Sequence, residues 1–512
     1  MILQDFLTRR PLAALALLSI VLTSFLVLPS LSIPLVSDDY SLMIESQTQP
    51  LLENFDHLYR PLRNLLLKAL PQIWPLSHPE PYRLLVGALF ASTLWLYATL
   101  LWRVRSSWLA AVFALLLASF YPRQQELLFW FAACQDLIMS IFGICSIHCF
   151  INYRKSGNIY SICLSAVLLA IAFGFKETAI VFLPLLFIVD VEYAARRGED
   201  LWRWKAYLPL IAVFFIYAGL LLMDLRKDVG VGTMHRGNHG TRGLNGLASN
   251  LIRSLVAMVW PWVQIQPIRQ MLKPAILASA LASSVVLAYS LGRSRWMQKA
   301  CLLLIGMLAA IAPTVVFAPF PADRYIFVGS LVVIWPLAGA LAELWEAGPA
   351  ISRIGAGLFL VIYCFFGAQS LLIHRHNWAM AGIKVEEVRN TIKPLLQKHP
   401  EPSVVYGIGL PMRVNDGEYY VLPNGFRGLM ITEGLPSNVK VVEHFARAPQ
   451  SEDMEFRSRL ESCPLFNGLS SGKEPLVLDL DVSSVRDRDP GCAVPLIEAY
   501  EHSHPEAFLR RN

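Results

Sequence analysis

Charge is what this sequence has least of. Of its 512 residues only 16% are Asp, Glu, Lys or Arg against 55% hydrophobic, and the mean hydropathy is +0.47. That balance excludes a soluble globular enzyme and describes a polytopic membrane protein. An excess of one sign is also lacking: 44 Lys and Arg against 38 Asp and Glu leave a formal net charge of +6. Much of that excess sits beside apolar segments, where it reports helix orientation, and no nucleic-acid partner is implied. Cysteine is sparse and wrongly spaced for a metal centre. Cys134, Cys145, Cys149, Cys163, Cys301 and Cys364 lie within apolar segments and read as small core residues. Only Cys463 and Cys492 fall in the polar tail. No small-x-small cleavage pattern closes the first apolar segment, and the chain shows no pair of related halves.

What is present is a succession of apolar runs. Pro11 to Ser37 carries no charge and follows Arg9 and Arg10, which reads as an uncleaved first helix with a cytoplasmic N-terminus. Further runs at 83–102, 107–121, 128–152, 159–175, 178–193, 206–223, 274–292, 299–318, 326–344 and 352–373 bring the expected count to about eleven transmembrane helices. Arg103 and Arg105, Arg154 and Lys155, Arg196, Arg197, Arg203 and Lys205, then Arg293, Arg295 and Lys299, all fall on the cytoplasmic side of that scheme. The loops at 36–82 and 224–273 then lie outside, the first carrying amphipathic helix and the second rich in glycine.

The odd count places the tail outside as well. The expected organisation is an α-helical transmembrane domain over 1–375 and a small extracytoplasmic α/β domain over 376–512. Val385, Val388, Ile392 and Leu395-Leu396 mark an amphipathic helix there, and Val404–Tyr406, Val439–Val442 and Leu476–Leu480 mark strands. For Cys463 and Cys492 a disulfide and two reduced thiols are both open.

Four outside-facing polar clusters stand out against this background. They are Asp38-Asp39-Tyr40 with Tyr59-Arg60-Pro61-Leu62; Glu126 with Asp136; Lys176-Glu177; and Asp323-Arg324-Tyr325. The plainer reading is that Lys, Arg and Tyr anchor helices in the headgroup region and that Ser37 or Asp38 caps a helix. It accounts poorly for the carboxylates, whose short stems do not snorkel, and least for Asp136 inside an apolar run.

These motifs, in this order, resemble the GT-C glycosyltransferases, integral membrane enzymes that take a sugar from a polyprenyl-phosphate carrier. The likeness is to the O-mannosyltransferase branch related to transmembrane and tetratricopeptide-repeat proteins, and covers roughly the first 345 residues. That branch has an acidic motif in its first lumenal loop, as Asp38-Asp39-Tyr40 here, then a Tyr-Arg-Pro-Leu segment, as Tyr59 to Leu62. A proline, a glutamate and an acidic residue follow, similar to Pro122, Glu126 and Asp136. A Lys-Glu pair and an acidic-Arg-Tyr entry to a late span are similar to Lys176-Glu177 and Asp323-Arg324-Tyr325. No 34-residue helical repeat is evident after residue 378, so the repeat-bearing members' protein acceptors do not transfer. The resemblance implies an inverting transfer in the bacterial inner membrane, onto a hydroxyl of an envelope glycan, lipid or protein.

The residue chemistry runs the same way. Transfer from a polyprenyl phosphate needs a base for the acceptor hydroxyl, positive charge at the departing phosphate and room for a lipid tail. Asp38 or Asp39 supplies the base, with Asp39 preferred as the neighbour of Tyr40. Lys176, Arg324 and Arg60 supply the phosphate contacts. Tyr40, Tyr59, Glu126, Asp136, Glu177, Asp323 and Tyr325 are the expected supporting residues. No particular cofactor is implied; a divalent metal between the carboxylates and the phosphate is compatible with these oxygen ligands but not compelled by them. A ligase or polymerase acting on lipid-linked oligosaccharide, and a flippase for lipid-linked sugar, remain as alternatives.

Overall fold

The computed structural model describes residues 10–48, 59–199, 204–228 and 323–398, with shorter pieces at 251–252, 254–258, 307–308, 404–411, 413–414, 419–422, 425–446, 476–479, 492, 496 and 508–511. Helices dominate: α1 Pro11–Val27, α2 Asp38–Thr48, α3 Pro61–Ile73, α4 Glu80–Arg105, α5 Trp108–Ser119, α6 Gln125–Phe129, α7 Cys134–Ser156, α8 Ile159–Phe175, α9 Phe182–Arg197, α10 Leu208–Asp228, α11 Asp323–Ala347 and α12 Ala350–Lys398. Among the described residues, 7 helical stretches are long and apolar enough to cross a membrane, and α5 and α8 are shorter apolar helices. The chain is thus a polytopic helical membrane protein. The expected spans at 274–292 and 299–318, and most of the expected loop at 224–273, lie outside the described residues.

Local chemistry sets the helix ends. Pro11 and Pro61 open α1 and α3, where the missing N–H leaves no bond unmade. Asn158 caps α8 by accepting the Tyr160 N–H at 3.0 Å. Gly157 and Gly198 close α7 and α9 at φ 67° and 66°, a left-handed turn that glycine makes without a Cβ clash. The last turns of α4, α7 and α9 carry Arg103 and Arg105, Arg154 and Lys155, Arg196 and Arg197, each complementing the helix dipole.

Packing ranks the helices by depth. The Asp323–Glu346 stretch is 89% buried and forms the hub, whereas Pro11–Ser30 is 33% buried and Trp204–Met223 only 17%. On the two outer helices Phe25, Phe215 and Ile216 face outward, an apolar exterior suited to lipid. Around the hub, the Tyr97 hydroxyl donates to the Leu331 carbonyl at 2.5 Å, and Phe327 meets the rings of Phe90 and Tyr121.

α12 runs across the expected junction between the two regions. It is one helix of 49 residues, about 70 Å at 1.5 Å per residue, more than twice a hydrocarbon core. The expected junction at 375/376 falls inside it. The composition turns polar at His374, but nothing there ends a helix, and Val385, Val388 and Ile392 continue the buried face without a break.

Beyond α12 the apolar triplets at 404, 439 and 476 form strands: β1 Val404–Pro411, β4 Lys440–Ala446 and β5 Leu476–Asp479. With β6 Phe508–Arg511 they make a four-stranded sheet in the order β5-β1-β4-β6, in which β1 and β4 are parallel and the outer pairings antiparallel. The short strands β2 Arg413–Val414 and β3 Tyr419–Tyr420 pair beside it. Parallel β1 and β4 require a crossover, and it carries α13, Phe426–Thr432. Among the described residues Cys492 is disulfide-bonded, while Cys134, Cys145, Cys149, Cys163 and Cys364 are free.

Candidate active site

The N-terminal ends of α4, α7 and the helical stretch Glu177–Arg197 lie together, and the four polar clusters meet there. Asp39 is 1% exposed. Its Oδ2 accepts the Val36 N–H at 3.0 Å and its Oδ1 the Ala132 N–H at 2.6 Å, so one carboxylate ties the loop after α1 to the turn before α7. Burial pushes this carboxyl up to about 7, against the lowering pull of the Arg83 guanidinium and the Val36 and Ala132 amides. Asp38, at the first position of α2, is only half-buried, and Ser37 before it adopts φ 50°. The Ser37 N–H donates to the Val421 carbonyl at 2.8 Å.

Each expected phosphate-binding cation faces an expected supporting carboxylate. Arg60 engages Glu177 through two parallel bonds, Nε to Oε2 and Nη2 to Oε1, both 2.8 Å. Leu62 lies against Gly174, which seats the Tyr-Arg-Pro-Leu segment beside Lys176-Glu177. Lys176 Nζ donates to both oxygens of Asp136 at 2.7 Å, and the two residues are 1% and 0% exposed. Arg324 Nη1 donates to Glu126 at 2.9 Å. Burial lifts the Glu126 carboxyl above its usual range, with Arg324 pulling it down and Asp323 adding to the rise.

Tyr325 joins two of these pairs. Lys176 lies 4.3 Å from the centre of its ring and Arg324 4.9 Å, and Arg324 also lies over Trp130 at 4.7 Å. The Arg324 side chain is 19% exposed where Lys176 is 1% and Arg60 7%. Arg324 is therefore the cation with the most open face, and a guanidinium carries five donors of which Glu126 takes one through Nη1. Tyr40 is buried and its hydroxyl accepts from Arg389 at 2.8 Å, which burial and the nearby Arg389 place in opposition: burial raises its pKa and wins. Tyr59 enters through its backbone carbonyl, which accepts from the Tyr217 hydroxyl at 3.2 Å. Asp323 departs from the expected grouping by pairing with Arg123 at 2.7 Å and Gln125 at 3.2 Å.

Several residues of this cluster were not expected from sequence. Arg83 is fully buried and donates to the carbonyls of Ile33, Phe129 and Pro34 at 3.2, 2.6 and 2.8 Å, fixing both segments that hold Asp39. Its signal was present, a charge opening an apolar run. Arg123, next to Pro122, carried a weaker one. Trp130 and Trp378, stacked with ring centres 6.1 Å apart, and Arg389 carried none, because their roles depend on α12 returning over the site. Among the described residues no group of three or more His, Cys, Asp or Glu is placed to hold a metal.

No family model matches the chain, and no curated protein does. Among solved structures, the crystal structure of ArnT from Cupriavidus metallidurans bound to undecaprenyl phosphate overlaps 91% of this chain and 97% of that one, at 11% identity and a TM-score of 0.48. An overlap of that size assigns no residue of this site.

Proposed function

We propose that the protein is an extracytoplasmic-face membrane glycosyltransferase that moves a sugar from a polyprenyl phosphate to an acceptor hydroxyl. The observation that carries the reading is that the half-buried Asp38, through its neighbour Asp39 bonded to Ala132, and the part-open Arg324, lying over Trp130, belong to the same end of a bundle of apolar helices. Water reaches that end from one side and a lipid carrier from the other.

Asp38 is the base in this scheme. A carboxyl near 7 would by titration alone nominate Asp39, but access comes before titration. Asp39 is enclosed and both its oxygens are engaged by backbone amides, so it holds the loop. Asp38 takes the acceptor proton, the acceptor oxygen bonds to the anomeric carbon, and the bond from that carbon to the phosphate oxygen breaks. The electron pair stays on the phosphate, where Arg324 stabilises it. Attack opposite the leaving group inverts the anomeric centre. Lys176 and Arg60, turned inward on Asp136 and Glu177, hold the frame around Arg324.

Purified protein incubated with a panel of polyprenyl-phosphate sugars, with mass spectrometry of the released polyprenyl phosphate, tests this. Release that depends on an added acceptor supports transfer. A flippase would leave every donor intact, and that result ends the proposal.

A further inference from the structure

The three helical stretches that carry the candidate site at their N-terminal ends make a second feature at their C-terminal ends, roughly 30 Å away along the helices. A pocket of about 450 Å³ opens there. Arg103 from α4, Lys155 from α7 and Arg197 from α9 line it, with Trp102, Ile151 and Tyr193 as its less polar wall. It takes no part in the proposed transfer.

The charges around this pocket are unevenly matched. Arg105, Arg154 and Arg196, one or two residues away from the lining cations, pair with carboxylates: Glu192 at 2.8 Å, Asp190 at 2.9 Å and Glu192 at 2.9 Å. Among the described residues none of the three lining cations has a carboxylate partner. Arg103 bonds to neutral groups, His148 at 2.8 Å and the Asn152 side chain. Arg197 lies over the Tyr193 ring at 5.3 Å. The cations that turn away from the pocket are neutralised and those that turn into it are not. Three helix C-termini offset part of this positive charge, but their field falls off within a turn, and the side chains converge on one concavity.

The surroundings point to lipid. The pocket ends three membrane-spanning helical stretches, and its Trp and Tyr are the side chains that settle at headgroup depth. Its volume lies within the range of small-molecule sites. We infer that it binds the headgroup of an anionic glycerophospholipid from the leaflet opposite the candidate active site, the phosphate lying among Arg103, Lys155 and Arg197.

Native mass spectrometry of the full chain, released from bilayers of phosphatidylglycerol and phosphatidylcholine, tests the assignment. The wild type should retain phosphatidylglycerol preferentially. The double variant Lys155→Gln, Arg197→Gln alters two exposed side chains and should cut that preference by about twenty-fivefold, at about fivefold for each charge removed. Arg196→Gln removes the same charge from the same helix end but does not line the pocket, and should leave the preference unchanged. A loss of about fivefold in Arg196→Gln, the per-charge effect of a non-specific basic surface, or none in the double variant, overturns the site. Displacement of the bound lipid by millimolar inorganic phosphate overturns the lipid assignment in favour of a soluble phosphate compound.

Discussion

At the scale of single residues, adjacent carboxylates have been given different surroundings. Asp38 and Asp39 are equivalent in the sequence, and preference for Asp39 followed from its neighbour Tyr40. The structure encloses Asp39 and leaves Asp38 half open, which no reading of adjacency contains. Asp38→Asn is expected to lower turnover by 10²–10⁴-fold, roughly 3–5 kcal/mol at the transition state, with little change in thermal stability. Asp39→Asn should act mainly on stability and its pH dependence. With the folded carboxyl near 7 and the unfolded value near 3.8, the folded state binds more protons between those limits. Stability therefore falls as pH rises across that window and levels off above it, and the Asn variant should flatten the curve. Melting curves across the window, with turnover at neutral pH, separate the two roles; full turnover in Asp38→Asn would remove it as the base. The Lys176–Asp136 pair makes a second case. Lys176→Met alone strands a buried carboxylate and should cost about 3–5 kcal/mol, whereas Lys176→Met with Asp136→Leu should recover most of it. If the doubly substituted protein is stable yet binds donor at least tenfold more weakly, Lys176 contacts the phosphate after all and does more than hold the frame.

Between elements, the acidic loop depends on a distant part of the chain. A Cβ on Gly428 in α13 would stand 2.6 Å from the Tyr40 carbonyl carbon and 2.9 Å from the Ser41 nitrogen, and one on Gly425 would stand 2.2 Å from the Ser37 oxygen. Backbone on backbone leaves no side chain to yield. Gly428→Ala should cost about 1–3 kcal/mol and displace the loop that bears Asp38, lowering turnover with stability. Gly434, at φ 109° with open space around it, provides the contrast: its Ala variant should lose stability through local strain and retain turnover in the fraction that folds. Equal turnover for the two folded variants would separate α13 from the site. Legibility divides along this line. Apolar runs, strand triplets and the charges that open spans were readable because each depends on local composition, and the carboxylates met cations as charge burial requires. That Glu177 would choose Arg60, that Asp323 would turn to Arg123, and that α12 would run on through His374 to bring Trp378 and Arg389 over the loop all depend on packing between segments hundreds of residues apart.

For the whole molecule, the two ends of the bundle differ in kind. One end collects Asp38, Asp39, Glu126, Asp136 and Glu177 with their partners; the other carries Arg103, Arg105, Arg154, Lys155, Arg196 and Arg197 in the last turns of three helices. Basic residues at span ends are retained on the cytoplasmic side, from which we infer that the acidic end faces outward. Ser37, although it sits in the motif of interest, is 1% exposed and is a poor reporter of this. Ser77, exposed in the turn before α4, and Ser156, exposed at the end of α7, mark the two ends better. A membrane-impermeant maleimide added to intact cells should label Ser77→Cys and leave Ser156→Cys untouched until the membrane is opened, with the wild type accounting for reaction at native thiols such as the exposed Cys163. The opposite pattern would place Asp38 in the cytoplasm, and both the acceptor's approach from outside and the assignment of the basic pocket to the inner leaflet would then have to be reversed together.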